Sequence, residues 1–137
     1  RQRQMCIRDR YMLSVPAGLI DKGDWNNPNA LVDTAIRELK EETGIEVEES
    51  DEIKVVSPCV FSTPGMTDEG NALVYISINR DEMPKMNHDG AEGSEVFEGF
   101  RLVSKEDAEE YLCKGRDEHG MYYPLFTWAA LMFFMGV

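Results

Sequence analysis

The residues Arg37-Glu38-Leu39-Lys40-Glu41-Glu42-Thr43-Gly44-Ile45 constrain this chain more than any other stretch. Glu38 and Glu42 are four apart and Glu41 is three from Glu38, so in a helix all three carboxylates project from one face. Like charges at that spacing repel and weaken an isolated helix. A divalent cation reverses the sign, because oxygen-rich clusters suit hard ions such as Mg2+ or Mn2+. The plainer reading is a solvated acidic face, common in a chain of formal net charge −12. Context weighs against it. Pro16-Ala17-Gly18-Leu19-Ile20-Asp21-Lys22-Gly23-Asp24 precedes the segment, and Gly44 stops the helix at once.

The rest of the chain reads as strands and helices in alternation. Tyr11 to Val15 is a short strand leading to the Pro16-Ala17-Gly18 turn. Pro28-Asn29 starts the glutamate helix, with Leu31, Ala35, Ile36 and Leu39 as its apolar stripe, and Arg37 pairs with Glu41 four residues on. Residues 53–56 and 59–61 are strand-like around Pro58, 72–78 is a strong strand, and 98–103 is another. Ser104, with Asp107 at the capping-box position, opens a helix that ends near Leu112. The apolar run Leu125 to Val137 is 13 residues long, short of the ~20 a membrane span needs, and reads as a buried terminal helix.

Size and charge narrow the function classes. A chain of 137 residues is one domain's worth and can bury a real core. A net charge of −12 argues against nucleic-acid backbones and anionic membranes as partners. Cys6, Cys59 and Cys113 are widely spaced, which fits reduced thiols and a cytoplasmic location rather than a disulfide framework or a zinc site. Residues 1–10 carry four arginines, no initiator methionine and no apolar core, so they are not a secretory signal. They read as a non-native segment, with the domain over 11–137 incomplete at its N-terminus.

Arg37 through Ile45 resembles the second half of the Nudix hydrolase signature, G-x5-E-x7-R-E-U-x-E-E-x-G-U with U aliphatic, at every defined position. The first half departs. With Gly18 leading, Asp24 stands where Glu is usual and the spacer is longer by five residues; with Gly23 leading, the spacing is standard but Asn29 stands there. Pro-Ala-Gly-Leu-Ile-Asp resembles the ADP-sugar (ADP-ribose) pyrophosphatase branch and favours the first register. The resemblance implies an α+β fold, a mixed sheet sandwiched between helices, here without its N-terminal strands. It also implies a homodimer when full length.

Two loops gain meaning from the resemblance. Phe61-Ser62-Thr63-Pro64-Gly65-Met66-Thr67-Asp68-Glu69 is first of all a Pro-Gly turn between strands. In the ADP-sugar branch a similar loop lines the substrate pocket, which points to Gly18, Pro64, Gly65, Thr67 and Glu69 as substrate-binding. Residues 87–98 read first as an acidic surface loop. By resemblance they hold a catalytic glutamate, best aligned at Glu95, with Glu92 and Glu98 as rivals. His88 and His119 are isolated and read as surface residues.

The implied chemistry is hydrolysis of the diphosphate of a nucleoside diphosphate sugar such as ADP-ribose, giving AMP and a sugar phosphate. Glu38, Glu41, Glu42 and the Ala17 carbonyl would hold Mg2+, or Mn2+ in its place. Glu41, Arg37 and Glu95 would form the catalytic set, with Glu95 taking the proton. Metal ions would reconcile an acidic protein with an anionic substrate. Other Nudix substrates (a nucleoside triphosphate, a dinucleotide, coenzyme A) and a non-catalytic Nudix-like binding module or inert fragment are the alternatives.

Overall fold

The computed structural model describes residues 12–24, 26–82, 84–87, 89 and 99–136. Contacts divide the chain into two compact units, one over Pro16–Arg101 and the other over Arg1–Val15 with Leu102–Val137. The first holds helix α1 (Ala30–Thr43) and strands β1 (Glu52–Phe61) and β2 (Gly70–Ser77). The second holds helices α2 (Lys105–Lys114) and α3 (Leu125–Met135). Helices accompanied by a two-stranded antiparallel sheet among the described residues match the expected α+β class.

Local chemistry sets both ends of α1. The Asn29 N–H donates to Asn27 Oδ1 at 2.9 Å, and Asn27 Nδ2 donates to Asp33 Oδ2 at 2.8 Å. This places the Asp33 carboxylate in the first turn, where the helix dipole favours an anion. At the other end Gly44 takes φ 73° and returns its N–H to the Lys40 carbonyl at 2.8 Å. A side chain is strained at that backbone angle, and a Cβ there would lie 2.5 Å from Asn87 Nδ2. The Asn87 N–H donates to the Thr43 carbonyl at 2.9 Å, satisfying one of the open helix-end acceptors.

Helix α1 packs on β1 and β2. Its most buried positions are Ala30, Thr34 and Thr43, while the expected stripe of Leu31, Ala35, Ile36 and Leu39 is half-buried. β1 and β2 pair from Glu52↔Ser77 to Phe61↔Gly70, with register shifts between Val55 and Ser57 and between Ser57 and Val60. Two separate strands were expected around Pro58. One strand runs through it instead, because the ladder absorbs a residue without an N–H as local irregularity. Beyond β2, Arg80 bonds Asp51 at 2.6 Å and donates to the Glu46 carbonyl. Asp51 also accepts from the Glu48 and Asn79 N–H groups, each at 2.9 Å. This clasp ties the turn after α1 to the end of the sheet.

In the second unit Ala108, Tyr111 and Leu131 form a buried cluster, with Leu13, Val103, Leu112, Tyr123, Phe134 and Met135 packed around it. The Ser104–Asp107 capping box forms as the sequence indicated, and α2 closes at Gly115. Asp117 is 2% exposed and accepts from the His119 and Met121 N–H groups at 2.9 and 2.8 Å, which shapes the turn before α3. No described helix is long and apolar enough to cross a membrane.

Two expected strands do not form among the described residues. Residues 12–15 carry no strand; the Leu13 N–H donates to the Tyr122 carbonyl at 3.2 Å, and the Val15 N–H donates to the Thr127 hydroxyl at 3.2 Å. Residues 99–103 belong to no strand among the described residues, and Glu98, where the expected strand begins, lies outside them, as does Tyr11. A strand needs a ladder partner, and the described sheet consists of β1 and β2.

Candidate metal and active centre

The candidate centre lies where the segment before α1 crosses the glutamate face of that helix. The backbone of Ala17-Gly18 meets two of the three carboxylates. The Ala17 N–H donates to Glu42 Oε1 at 3.4 Å. Glu38 lies against Gly18 so closely that a Cβ built there would fall 1.8 Å from its Cδ and 1.9 Å from its Oε1. Glycine at 18 is therefore a steric condition for the position of Glu38. Its side chain is 16% exposed, unusually covered for a carboxylate on a helix surface. Glu41 is half-buried on the same helix.

Arg37 ties this crossing together. Its Nη1 donates to Asp21 Oδ2 at 2.6 Å, and its Nη2 donates to the Leu19 carbonyl at 2.9 Å and to Glu38 Oε1 at 3.0 Å. The expected partner was Glu41. The guanidinium turns instead toward the preceding segment, where its fixed fork reaches three acceptors rather than one carboxylate. Asp21 does most to raise the guanidinium pKa above its usual value; burial opposes this and Glu38 adds to the rise. Arg37 Nε is buried and has no hydrogen-bond partner among the described residues.

Among the described residues no three His, Cys, Asp or Glu side chains stand together as a ready cation cage. The donor chemistry nevertheless fits a hard divalent ion. Glu38, Glu41, Glu42 and the Ala17 carbonyl offer oxygen alone, and the open space at Gly18 admits the Glu38 carboxylate beside the backbone.

The second predicted group is at the hairpin tip. Met66 and Thr67 each return their N–H to the Thr63 carbonyl, at 2.9 and 3.0 Å, and the Thr63 and Thr67 hydroxyls bond each other at 3.1 Å. Pro64, Gly65 and Thr67 thereby line a shallow depression with Phe61, Met66 and Asp68, whereas Glu69 is exposed and not part of its lining. Phe61 and Met66 are 53% and 87% exposed, so the depression offers bare apolar surface. Glu95, Glu92, Glu98 and His88 lie outside the described residues.

Sequence reasoning missed Asp21 and the Leu19 carbonyl as partners of Arg37. A usable signal was present: Asp21 is an acid in the segment that must cross α1, and the helix presents a cation there.

Known proteins of similar sequence give the family. The ADP-ribose pyrophosphatase of Saccharomyces cerevisiae is 43% identical over 68 residues, 49% of this chain and 25% of its own length. The ADP-sugar pyrophosphatase of Mus musculus is 38% identical over 72 residues, 53% of this chain and 29% of its own. A Caenorhabditis elegans relative carrying the nudix hydrolase name is 38% identical over 78 residues, 57% of this chain and 31% of its own. The matched segments thus span no more than about a third of these relatives. No solved structure matches. The model of the NUDIX domain matches residues 2–126, taking in the Ala17-Gly18 crossing, all three helix glutamates and the hairpin loop; the chain belongs to the NUDIX domain family.

Proposed function

We propose that this chain belongs to a metal-dependent hydrolase that cleaves the diphosphate of an ADP-sugar, ADP-ribose above all, to AMP and a sugar phosphate. The observation that carries the reading is the convergence of Glu38 and Glu42 on the Ala17-Gly18 backbone. Arg37 pairs with Glu38 and the Ala17 N–H bonds Glu42, and a cation would offset the repulsion between the two like charges held there. Two relatives named for ADP-ribose and ADP-sugar pyrophosphatase activity support the substrate class.

Glu38, Glu41, Glu42 and the Ala17 carbonyl would hold Mg2+. A bound divalent ion supplies charge neutralisation to the diphosphate oxygens and lowers the pKa of water. In the overall reaction water adds across the P–O–P bridge: one phosphorus takes the hydroxyl and the bridging oxygen leaves with the other. Arg37 anchors Glu38, and Glu95 accepts the proton of the attacking water. The hairpin depression with Phe61 and Met66 offers apolar surface for a sugar or base, while Thr67 supplies a hydroxyl.

The test is a panel of nucleoside diphosphate sugars, nucleoside triphosphates, dinucleotides and coenzyme A, with released AMP as the readout for ADP-sugars. ADP-ribose is expected to be turned over fastest, and Glu42→Gln to lower kcat by orders of magnitude with folding intact, since it relieves like-charge repulsion. Full activity in Glu42→Gln would overturn the assignment of the centre. A clear preference for a triphosphate or coenzyme A would overturn the substrate class.

A further inference from the structure

We infer that Asp21 is a positioning residue for the glutamate centre: it holds part of the Arg37 guanidinium away from Glu38, so that Glu38 keeps an oxygen available to a cation. The inference rests on the metal-binding reading of Glu38 proposed above.

A guanidinium that faces one carboxylate alone takes it in a fork of two parallel bonds. That fork does not form here. Nη1 is committed to Asp21 at 2.6 Å, and Nη2 is divided between the Leu19 carbonyl at 2.9 Å and Glu38 Oε1 at 3.0 Å. Glu38 therefore meets Arg37 through one oxygen and one nitrogen. The anion that divides the guanidinium is Asp21, not Asp24 or Asn29, the two positions where the signature's glutamate would fall. Glu38 has no room to escape toward Gly18, whose backbone it already touches. With the Asp21 charge removed, the charged Glu38 outcompetes the neutral side chain for Nη1, and the cation must then compete with a forked arginine for that carboxylate.

The side chains of Asp21 and Arg37 are 68% and 35% exposed. The effect is therefore on the scale of an exposed ion pair, a weakening of cation binding by about two- to fivefold. A rival role for Asp21, tethering residues 19–21 without regard to the cation, predicts a different pattern.

Mn2+ binding to the full chain, followed by the loss of the free-ion EPR signal, separates the two. The measurement is made on the unaltered protein and on Asp21→Asn, Arg37→Gln and the double variant, with thermal melts in parallel. Asp21→Asn is expected to weaken Mn2+ binding about two- to fivefold when Arg37 is present and to leave it unchanged in the Arg37→Gln background. Equal weakening in both backgrounds, or none in either, overturns the positioning role. Glu42→Gln serves as the control for the centre itself. If the unaltered chain binds Mn2+ no better than Glu42→Gln, the metal reading fails first; if it binds better and Asp21→Asn binds as well as the unaltered chain, only the positioning role fails.

Discussion

Gly18→Ala perturbs the centre by a single methyl group. The added Cβ would lie 1.8 Å from Glu38 Cδ, whereas ordinary contact begins at 3.4 Å, so the carboxylate must retreat by about 1.6 Å. The obstacle is the far end of a flexible side chain, and Gly18 is not among the glycines with positive φ. The fold should therefore survive. Removing a glycine from the unfolded chain adds about 0.4–1 kcal/mol of stability where the backbone is compatible, so Tm should hold or rise by up to about 5 °C. A displacement of this size in a reacting constellation costs on the order of 10²-fold in rate. The assay is kcat for AMP release from ADP-ribose, with Mn2+ binding and a thermal melt on the same sample. A kcat within twofold of the unaltered enzyme would refute the steric argument. A lost unfolding transition would show that Gly18 serves folding and not Glu38.

Two further outcomes can be checked independently. Asp51 is held below its ordinary carboxylate pKa, first by the Glu48 N–H, then by Arg80, with Asn79 adding and burial opposing. A lowered folded pKa contributes stability that is complete above the unfolded value near 3.8 and drains as pH falls through the folded one, so the urea-stability gap between the unaltered chain and Asp51→Asn should be constant above about pH 5 and narrow as pH falls below 3.8; a gap that widens with falling pH would contradict the clasp. Glu95→Gln should depress kcat by about 10²–10⁴ with little change in KM and far less change in Mn2+ affinity than Glu42→Gln, because the loss falls on proton transfer. Silence at Glu95 together with inactivity of Glu92→Gln or Glu98→Gln would move the base within the same loop.

The parts of this protein legible in its sequence are those decided within a few residues of themselves. The glutamate helix ends at Gly44 because its last carbonyls need a left-handed residue there. The Ser104–Asp107 capping box forms because both partners lie within one turn, and Pro64-Gly65 closes a hairpin because its backbone preferences are local. The common face of Glu38, Glu41 and Glu42 follows from helix geometry alone. Tertiary structure decided what those groups meet. Arg37 had an acceptable partner four residues away and took Asp21, sixteen residues back, with the Leu19 carbonyl and Glu38. Residues 12–15 and 99–103 have strand-like composition and take no part in the described sheet, whereas β1 continues past Pro58 because β2 is there to pair with it. Caps and turns satisfy their hydrogen bonds from within the segment; strands, ion pairs and covered carboxylates require a second segment, and its arrival is a property of the folded chain.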